Sequence, residues 1–300
     1  MKELLRTNDI TVIAFAKALL QGEDIEVFEL DVNMSILDGS LGILPRRLMA
    51  PFDTTKDAFL GGLLTLEQPT TGYRAGVDPV LLAASVPAFE GQSVLELGCG
   101  TGAALLCLGM RVPWLTLHGV ELQHHYAELC RQNAVRNSIE AQIWTTDVRA
   151  LPTDITSRTY NHVIINPPYF ERTAGASSPA ADRDIAFAGD TSTKDWIDTA
   201  TRRLKPKGWL SMIHKADRLP DIMRAIDDRL GDLQVFPITG RIGRPADRII
   251  LRARKGARAP FRLHAAIALH DGPNHVEDGD DYRPEIRDVL RKGFEFRLPS

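Results

Sequence analysis

The segment Glu96-Leu97-Gly98-Cys99-Gly100-Thr101-Gly102 constrains the fold of this chain more than any other. The apolar run Ser93 to Leu97 feeds three alternating glycines, and a second apolar run, Ala103 to Met110, follows at once. Glycine accepts backbone angles closed to other residues and lets a ligand approach the main chain. A strand, a tight glycine turn and a helix in succession therefore read as the start of an α/β sheet with a ligand at its carboxyl edge. The spacing Gly-x-Gly-x-Gly differs from the dinucleotide fingerprint Gly-x-Gly-x-x-Gly. No Gly-Lys-Ser/Thr follows, so a phosphate-cradling P-loop is excluded.

Strands and helices alternate through the rest of residues 51–300, as in a parallel sheet. Asp78-Pro79 reads as a helix start, with Asp78 as cap and Pro79 in the first turn. Further strands are expected at Leu115–Glu121, Gln142–Thr146, His162–Ile165, Trp209–Ile213, Gln234–Ile238 and Arg248–Arg254. Helices are expected at Val80–Ser85, Tyr126–Asn137 and Leu219–Leu230. The reading is an α/β fold: a seven-stranded, mostly parallel, Rossmann-like sheet. Residues 1–50 form a separate small α+β unit. It has a strand at Leu4–Arg6, a helix capped at Asn8 or Asp9, strands at Ile25–Leu30 and Arg46–Met49, and a turn at Gly39–Gly42. The stretch Thr173 to Ser192, rich in small and polar residues, reads as a mobile loop.

Composition narrows the function classes. The chain has 300 residues, 44% hydrophobic and 25% charged, with a net charge of −3. That balance is globular and gives no whole-molecule attraction to nucleic acid, although a local basic patch can supply one. Cys99, Cys107 and Cys130 form no CxxC pair, which fits a reduced cytoplasm. No apolar run has the length of a membrane span, and His124-His125 cannot easily aim at one metal. Neither a membrane nor a metal is expected.

The strand His162 to Ile165 ends in Asn166-Pro167-Pro168-Tyr169. Two prolines stop a strand, leaving a stiff tip with one amide, rigid carbonyls and a flat ring. Such a tip suits a planar, nitrogen-bearing group. Acids recur at neighbouring strand ends. Glu121 can accept hydrogen bonds from both ribose hydroxyls of an adenosine, and Asp147 can take its adenine amino group. Glu96 can reach the amino-acid end of a cofactor. Each acid alone also reads as a cap for the helix after it.

These motifs resemble those of the class I S-adenosylmethionine-dependent methyltransferases. The glycine motif is similar to Val94 to Gly102, the second-strand acid to Glu121, and the fourth-strand (Asp/Asn/Ser)-Pro-Pro-aromatic motif to Asn166 to Tyr169. The resemblance implies S-adenosyl-L-methionine as cofactor. It would be held by Glu96, Gly98, Cys99, Gly100, Thr101, Gly102, Glu121, Leu122, Asp147 and Val148, with Asp78 and Arg74 near its methionine end. Asn166, Pro167, Pro168 and Tyr169 become the catalytic set. A closer resemblance, to the bacterial valine-tRNA adenine-N6 methyltransferases, rests on Gly72-Tyr73-Arg74 to Ala84, Asn166 to Phe170, His214 to Leu219, and Arg248 to Gly256. It implies a tRNA substrate, modified at the adenine beside the anticodon. Phe170, Arg244 and Arg248 are then expected to touch RNA. The chain departs from that family at Ala186-Phe187-Ala188-Gly189. Residues 1–50 resemble a small prokaryotic signal-transducing domain whose closing helix is missing or replaced by Thr54 to Leu63.

Alternatives stay open. An amide nitrogen is planar too, so a protein glutamine methyltransferase fits the same tip. The short stretch between Pro51 and the helix at Val80 leaves no room for the helical substrate domain such enzymes carry. A noncatalytic cofactor-sensing regulator is the third reading. The basic segment Arg241 to Arg258 fits either an RNA backbone or a solvated strand edge, and His214 either lines the cleft or is a structural histidine.

Overall fold

The computed structural model describes residues 2–22, 27–30, 46–50, 53–169, 191–272, 281–296 and 298. Phe170, the Ala186–Gly189 departure, the Gly39–Gly42 turn and most of the expected loop at 173–192 lie outside them. The chain separates into two compact units, Met1–Thr55 with Pro69–Thr71, and Lys56–Gln68 with Gly72–Ser300.

In the small unit, β1 (Lys2–Thr7), β3 (Arg46–Ala50) and β2 (Phe28–Leu30) form an antiparallel sheet in that order, with helix α1 at Ile10–Gly22. Asp9 caps α1, its Oδ1 accepting the Thr11 N–H at 2.8 Å. On α1, Ile13 is buried with Ala16 and Leu20 packed beside it, while Val12 and Leu19 are exposed.

In the large unit the expected seven strands form one sheet in the order β11-β12-β10-β9-β6-β7-β8. Their ranges are β6 Ser93–Leu97, β7 Thr116–Glu121, β8 Ala141–Thr145, β9 Tyr160–Ile165, β10 Leu204–Lys215, β11 Leu230–Thr239 and β12 Arg248–Lys255. Neighbours from β8 to β10 are parallel, and β12 is antiparallel to both β10 and β11. Short strands β13 (Arg262–Leu263) and β14 (Ile267–Ala268) extend the β11 edge. The helices are α2 Asp78–Ser85, α3 Ala103–Arg111, α4 His124–Arg136, α5 Thr153–Thr156, α6 Thr193–Arg203, α7 Leu219–Ala225 and α8 Pro284–Lys292.

Near-continuous apolar runs explain why the central strands are buried on both faces. Val94 and Ile164 join one core, with α2 and α3. Leu95, Leu97, Val163 and Ile165 join the other, with Trp196 and Ile197 of α6. From β6 the chain runs outward through β7 and β8, and then returns to place β9 on the other side of β6. The carboxyl ends of β6 and β9 are therefore the switch point of the sheet, where α/β folds bind ligands. Leu97 and Ile165 are register partners there, so the glycine turn and Asn166 leave the sheet side by side.

Four expectations are corrected. Thr54 to Leu63 is no closing helix: β4 (Thr54–Phe59) pairs with β5 (Leu64–Pro69). Val77, not Asp78, caps α2, and no side chain serves as cap. Helix α7 stops at Ala225 instead of Leu230, because Leu230 already belongs to β11. The basic strand β12 is interior, so solvation of a sheet edge cannot explain its charges.

Candidate active site

The turn after β6 takes the backbone that only glycine holds without strain: φ is +71° at Gly98, +53° at Gly100 and +90° at Gly102. The three differ in surroundings. A Cβ on Gly98 would stand 2.9 Å from the Trp196 ring, and one on Gly102 2.6 Å from Cys130 Sγ. A Cβ on Gly100 would meet only Tyr73, at 3.8 Å. Gly98 and Gly102 thus fit against packed neighbours, whereas the Gly100 side is open for a ligand. Between them, Thr101 is buried with its hydroxyl unpartnered among the described residues. A buried polar atom without a partner at an open glycine cradle fits a polar, adenosyl-bearing cofactor.

The two acids around this turn are buried. Glu121, at the end of β7, accepts the Gly100 and Gln123 N–H groups, each at 2.9 Å. Burial raises its carboxyl pKa, against the pull of these backbone donors. Glu96 accepts the Leu105 N–H at 2.8 Å and so satisfies a free donor of the first turn of α3. Burial pushes Glu96 well above the usual carboxylate range, opposed by that hydrogen bond and reinforced by Glu121.

Other expected cofactor residues are placed differently. Both oxygens of Asp147 are taken by the Arg149 side chain, at 2.6 to 3.1 Å, which lowers its pKa. Leu122 is half-buried beside Glu121, and Val148 is part of the core. Arg74 pairs with Asp57 of β4 at 2.6 Å. Cys99 is buried, and its pKa is driven up by a hydrogen bond with Cys130 and by burial, which leaves it an unreactive thiol.

At the end of β9, Asn166 Nδ2 donates to the Tyr73 hydroxyl at 3.2 Å, and Oδ1 has no partner among the described residues. Pro167 is buried and Pro168 exposed. The Tyr169 hydroxyl donates to Asp78 Oδ2 at 2.5 Å. Arg248, reaching across from β12, holds the same carboxylate, with Nε 2.7 Å from Oδ1. Burial and the Asp78 charge raise the Tyr169 pKa, so the phenol stays protonated and donates. The His214 ring lies 5.5 Å from the Tyr169 ring, and Lys215 Nζ lies 5.7 Å from its centroid. His214, buried at the end of β10, thus lines this cleft.

Sequence reading missed two features of this site. Tyr73 carries a lone hydroxyl in a loop, and only the fold brings it to Asn166. Its backbone N–H is fixed by the Tyr126 hydroxyl at 2.9 Å, close beside Gly72. The motif Gly72-Tyr73-Arg74 was the available signal. The second feature is the Asp78–Arg248 pair, which joins residues 170 apart in sequence.

Arg244 is exposed in the loop between β11 and β12. Of its basic neighbours, Arg241 pairs with Asp281, while Arg252 and Arg254 lie over the Trp209 ring at 4.7 and 5.4 Å. Among the described residues no cluster of His, Cys, Asp and Glu has the makings of a metal site, and no helix is long and apolar enough to cross a membrane.

Comparison with known proteins places this geometry in a family. The methyltransferase small domain family matches residues 75–241. The family described as "Putative prokaryotic signal transducing protein" matches residues 1–58. A protein of Dickeya chrysanthemi named tRNA1(Val) (adenine(37)-N6)-methyltransferase is 31% identical over 218 residues, covering 69% of this chain and 81% of the relative. One of the same name from Haemophilus influenzae is 28% identical over 220 residues, covering 71% and 90%. The crystal structure of a "predicted O-methyltransferase" from Agrobacterium tumefaciens superposes with a TM-score of 0.59 at 24% identity, over 73% of this chain and 98% of that one.

Proposed function

The chain belongs to the methyltransferase small domain family, with S-adenosyl-L-methionine as its cofactor, and on that premise we propose that it methylates the exocyclic N6 of an adenine in tRNA. One observation carries this reading. Asn166 stands at the switch point beside the glycine turn, with Nδ2 tied to Tyr73 and Oδ1 left for an incoming group. Curated relatives named for adenine-37 of tRNA1(Val) support the base over an amide, and adenine 37 of a tRNA is the target proposed here.

The cofactor would be held by the Gly98–Gly102 turn, Thr101, Glu96 and Glu121, with Leu122, Asp147 and Val148 around its base. When bound, it supplies an electrophilic methyl group on a sulfonium. Everything else falls to the chain's own residues. Asn166 Oδ1 and the Pro167 carbonyl accept the two hydrogens of the target amino group, turning its lone pair out of conjugation with the ring. Tyr169 stacks on the base, its ring fixed by the hydroxyl anchor on Asp78. Arg248 holds that anchor, so its first task is to position Tyr169, with any RNA contact second to it. No strong base is required before transfer, because the nitrogen becomes acidic once it is alkylated. The rate advantage rests on positioning and electrostatics. A target base must leave its stack to enter such a site. Reduced, buried Cys99, Cys107 and Cys130 fit a cytoplasmic setting for the reaction.

The test is transfer of label from tritiated S-adenosylmethionine to unmodified total tRNA, release factors and ribosomes. Label is expected in tRNA adenine, and label in protein alone would sink the reading. Asn166→Ala is expected to abolish transfer while keeping cofactor affinity; normal turnover in that variant would remove Asn166 from its role.

A further inference from the structure

A second cleft, of about 280 Å³, opens at the opposite edge of the sheet. It is built from the amino-terminal ends of β9 and β10, the segment before β6, and the end of antiparallel β12, which contributes Arg254. It lies away from the glycine turn, so the methyl-transfer reading gives it no task.

The polar lining of this cleft is one-sided. Asn161 Oδ1 accepts three donors: the Ser93 N–H at 3.1 Å, the Ser93 hydroxyl at 3.0 Å and the Lys205 ammonium at 3.0 Å. Gln92 Oε1 accepts the Phe89 N–H at 2.9 Å and lies 2.7 Å from His162 Nε2. An ammonium and backbone N–H groups can only donate, so they identify which amide atom is oxygen. The NH2 groups of Asn161 and Gln92 then remain without a protein partner among the described residues. Lys205, Lys207 and Arg254 add donors and positive charge, and among the described residues no carboxylate lines the cleft. The side-chain amide oxygens are spent internally and, apart from the buried and unpartnered His162 Nδ1, the free side-chain polar groups donate, which favours an acceptor-rich, anionic ligand.

The rest of the lining is flat and apolar. Phe89 is 70% exposed at the rim, and Trp209 forms a second aromatic wall beneath the guanidinium of Arg254. The volume suits one small molecule. We propose that this cleft binds a nucleoside monophosphate, with its phosphate on the Asn161, Gln92, Lys207 and Arg254 donors and its base against Phe89. A free nucleotide and the 5′-phosphorylated end of an RNA share this chemistry.

The test uses the full chain saturated with S-adenosylhomocysteine, which keeps the glycine-turn site filled. Titration calorimetry compares uridine monophosphate, uridine and inorganic phosphate. Uridine monophosphate is expected to bind, with each fragment at least about tenfold weaker, the scale of one charge-assisted hydrogen bond. Asn161→Asp and Gln92→Glu keep every internal hydrogen bond accepted by the amide oxygen but replace the free NH2 with an anionic oxygen. Both are expected to abolish nucleotide binding at unchanged S-adenosylhomocysteine affinity, which also reports that they fold. A 5′-phosphorylated trinucleotide binding more tightly than uridine monophosphate assigns the site to an RNA end, and the reverse order to a free nucleotide. The proposal is overturned if uridine monophosphate does not bind, if inorganic phosphate binds equally well, or if both variants bind like wild type.

Discussion

Tyr73→Phe removes one hydroxyl and tests how the Asn166 amide is aimed. In the structure Nδ2 donates to that hydroxyl at 3.2 Å, near the long end of a hydrogen bond, which leaves Oδ1 for the target. A neutral hydrogen bond of this kind contributes about 0.5–1.5 kcal/mol net, or roughly 2- to 12-fold in rate. Without it the two amide orientations become nearly equal in energy, and the unproductive one points NH2 at the target NH2. Single-turnover transfer to unmodified tRNA should therefore slow by roughly 2- to 12-fold, with cofactor affinity unchanged. The decisive comparison is made in an Asn166→Asp background, since Asp is an alternative at this motif position and has no amide to aim. There Tyr73→Phe should change the rate by less than about twofold. Equal losses in both backgrounds would show Tyr73 to be a general packing residue. No loss in either would refute the aiming role outright. A readout that needs no activity is the Asn166 side-chain amide pair in a nitrogen-correlated spectrum, which should shift on Tyr73→Phe.

Three further outcomes follow from the same geometry. Arg248→Ala leaves the Asp78 carboxylate without its cation beside Tyr169; with Arg248 partly exposed, denaturant unfolding should show a loss of about 1–3 kcal/mol, and KM for tRNA should rise more than kcat falls. Unaltered stability and KM would remove the anchor role. Gly98→Ala forces φ +71° on an alanine whose Cβ stands 2.9 Å from Trp196, so a loss of about 1–3 kcal/mol and a collapse of cofactor affinity are expected; a wild-type melting curve would contradict it. Glu96→Gln keeps an acceptor for the Leu105 N–H but does not titrate. The Glu96 pKa is raised in the fold from an ordinary 4.5, so its stabilising contribution is complete below that value and is lost as pH rises toward the folded pKa. The variant should match wild type near pH 4 and exceed it increasingly toward neutral pH, by at most about 1.4 kcal/mol per pH unit. A gap that does not change with pH would refute the burial effect on Glu96.

The sheet and its ligand edge were legible because their signals are local. Apolar runs mark β6 to β12, the glycines of the turn need left-handed backbone, and Pro167-Pro168 stops a strand. The β4–β5 hairpin was not legible. Thr54-Thr55-Lys56-Asp57 carries little apolar pattern, and what holds β5 is distant: Asn133 Oδ1 accepts the Glu67 N–H and Asn137 Oδ1 the Thr65 N–H. Asp78 misled for a related reason. Asp before Pro is a strong local cap signal, but its carboxylate is claimed by Tyr169 and Arg248, which no local pattern records. Of the two readings of the basic segment, the solvated edge fails because β12 is interior to the sheet, and Arg241 and Arg248 are committed to acids within the fold. For Tyr73, the motif was visible but its partner was not.

The place of β12 sets a timetable for synthesis. As a chain leaves the ribosome, β6 to β10 are complete long before Arg248 appears, and the glycine turn and the Asn166 tip can already assemble beside each other. Strand β12 then has to pair locally with β11, its predecessor in the chain, and non-locally with β10 across the intervening β11, the slower class of pairing. Only when it docks does Arg248 reach Asp78 and fix the hydroxyl of Tyr169. A nascent chain that has folded β6 to β10 thus has the parts to hold the cofactor before it has a rigid grip on a base. Completion of the last long strand is what commits the newborn protein to its substrate.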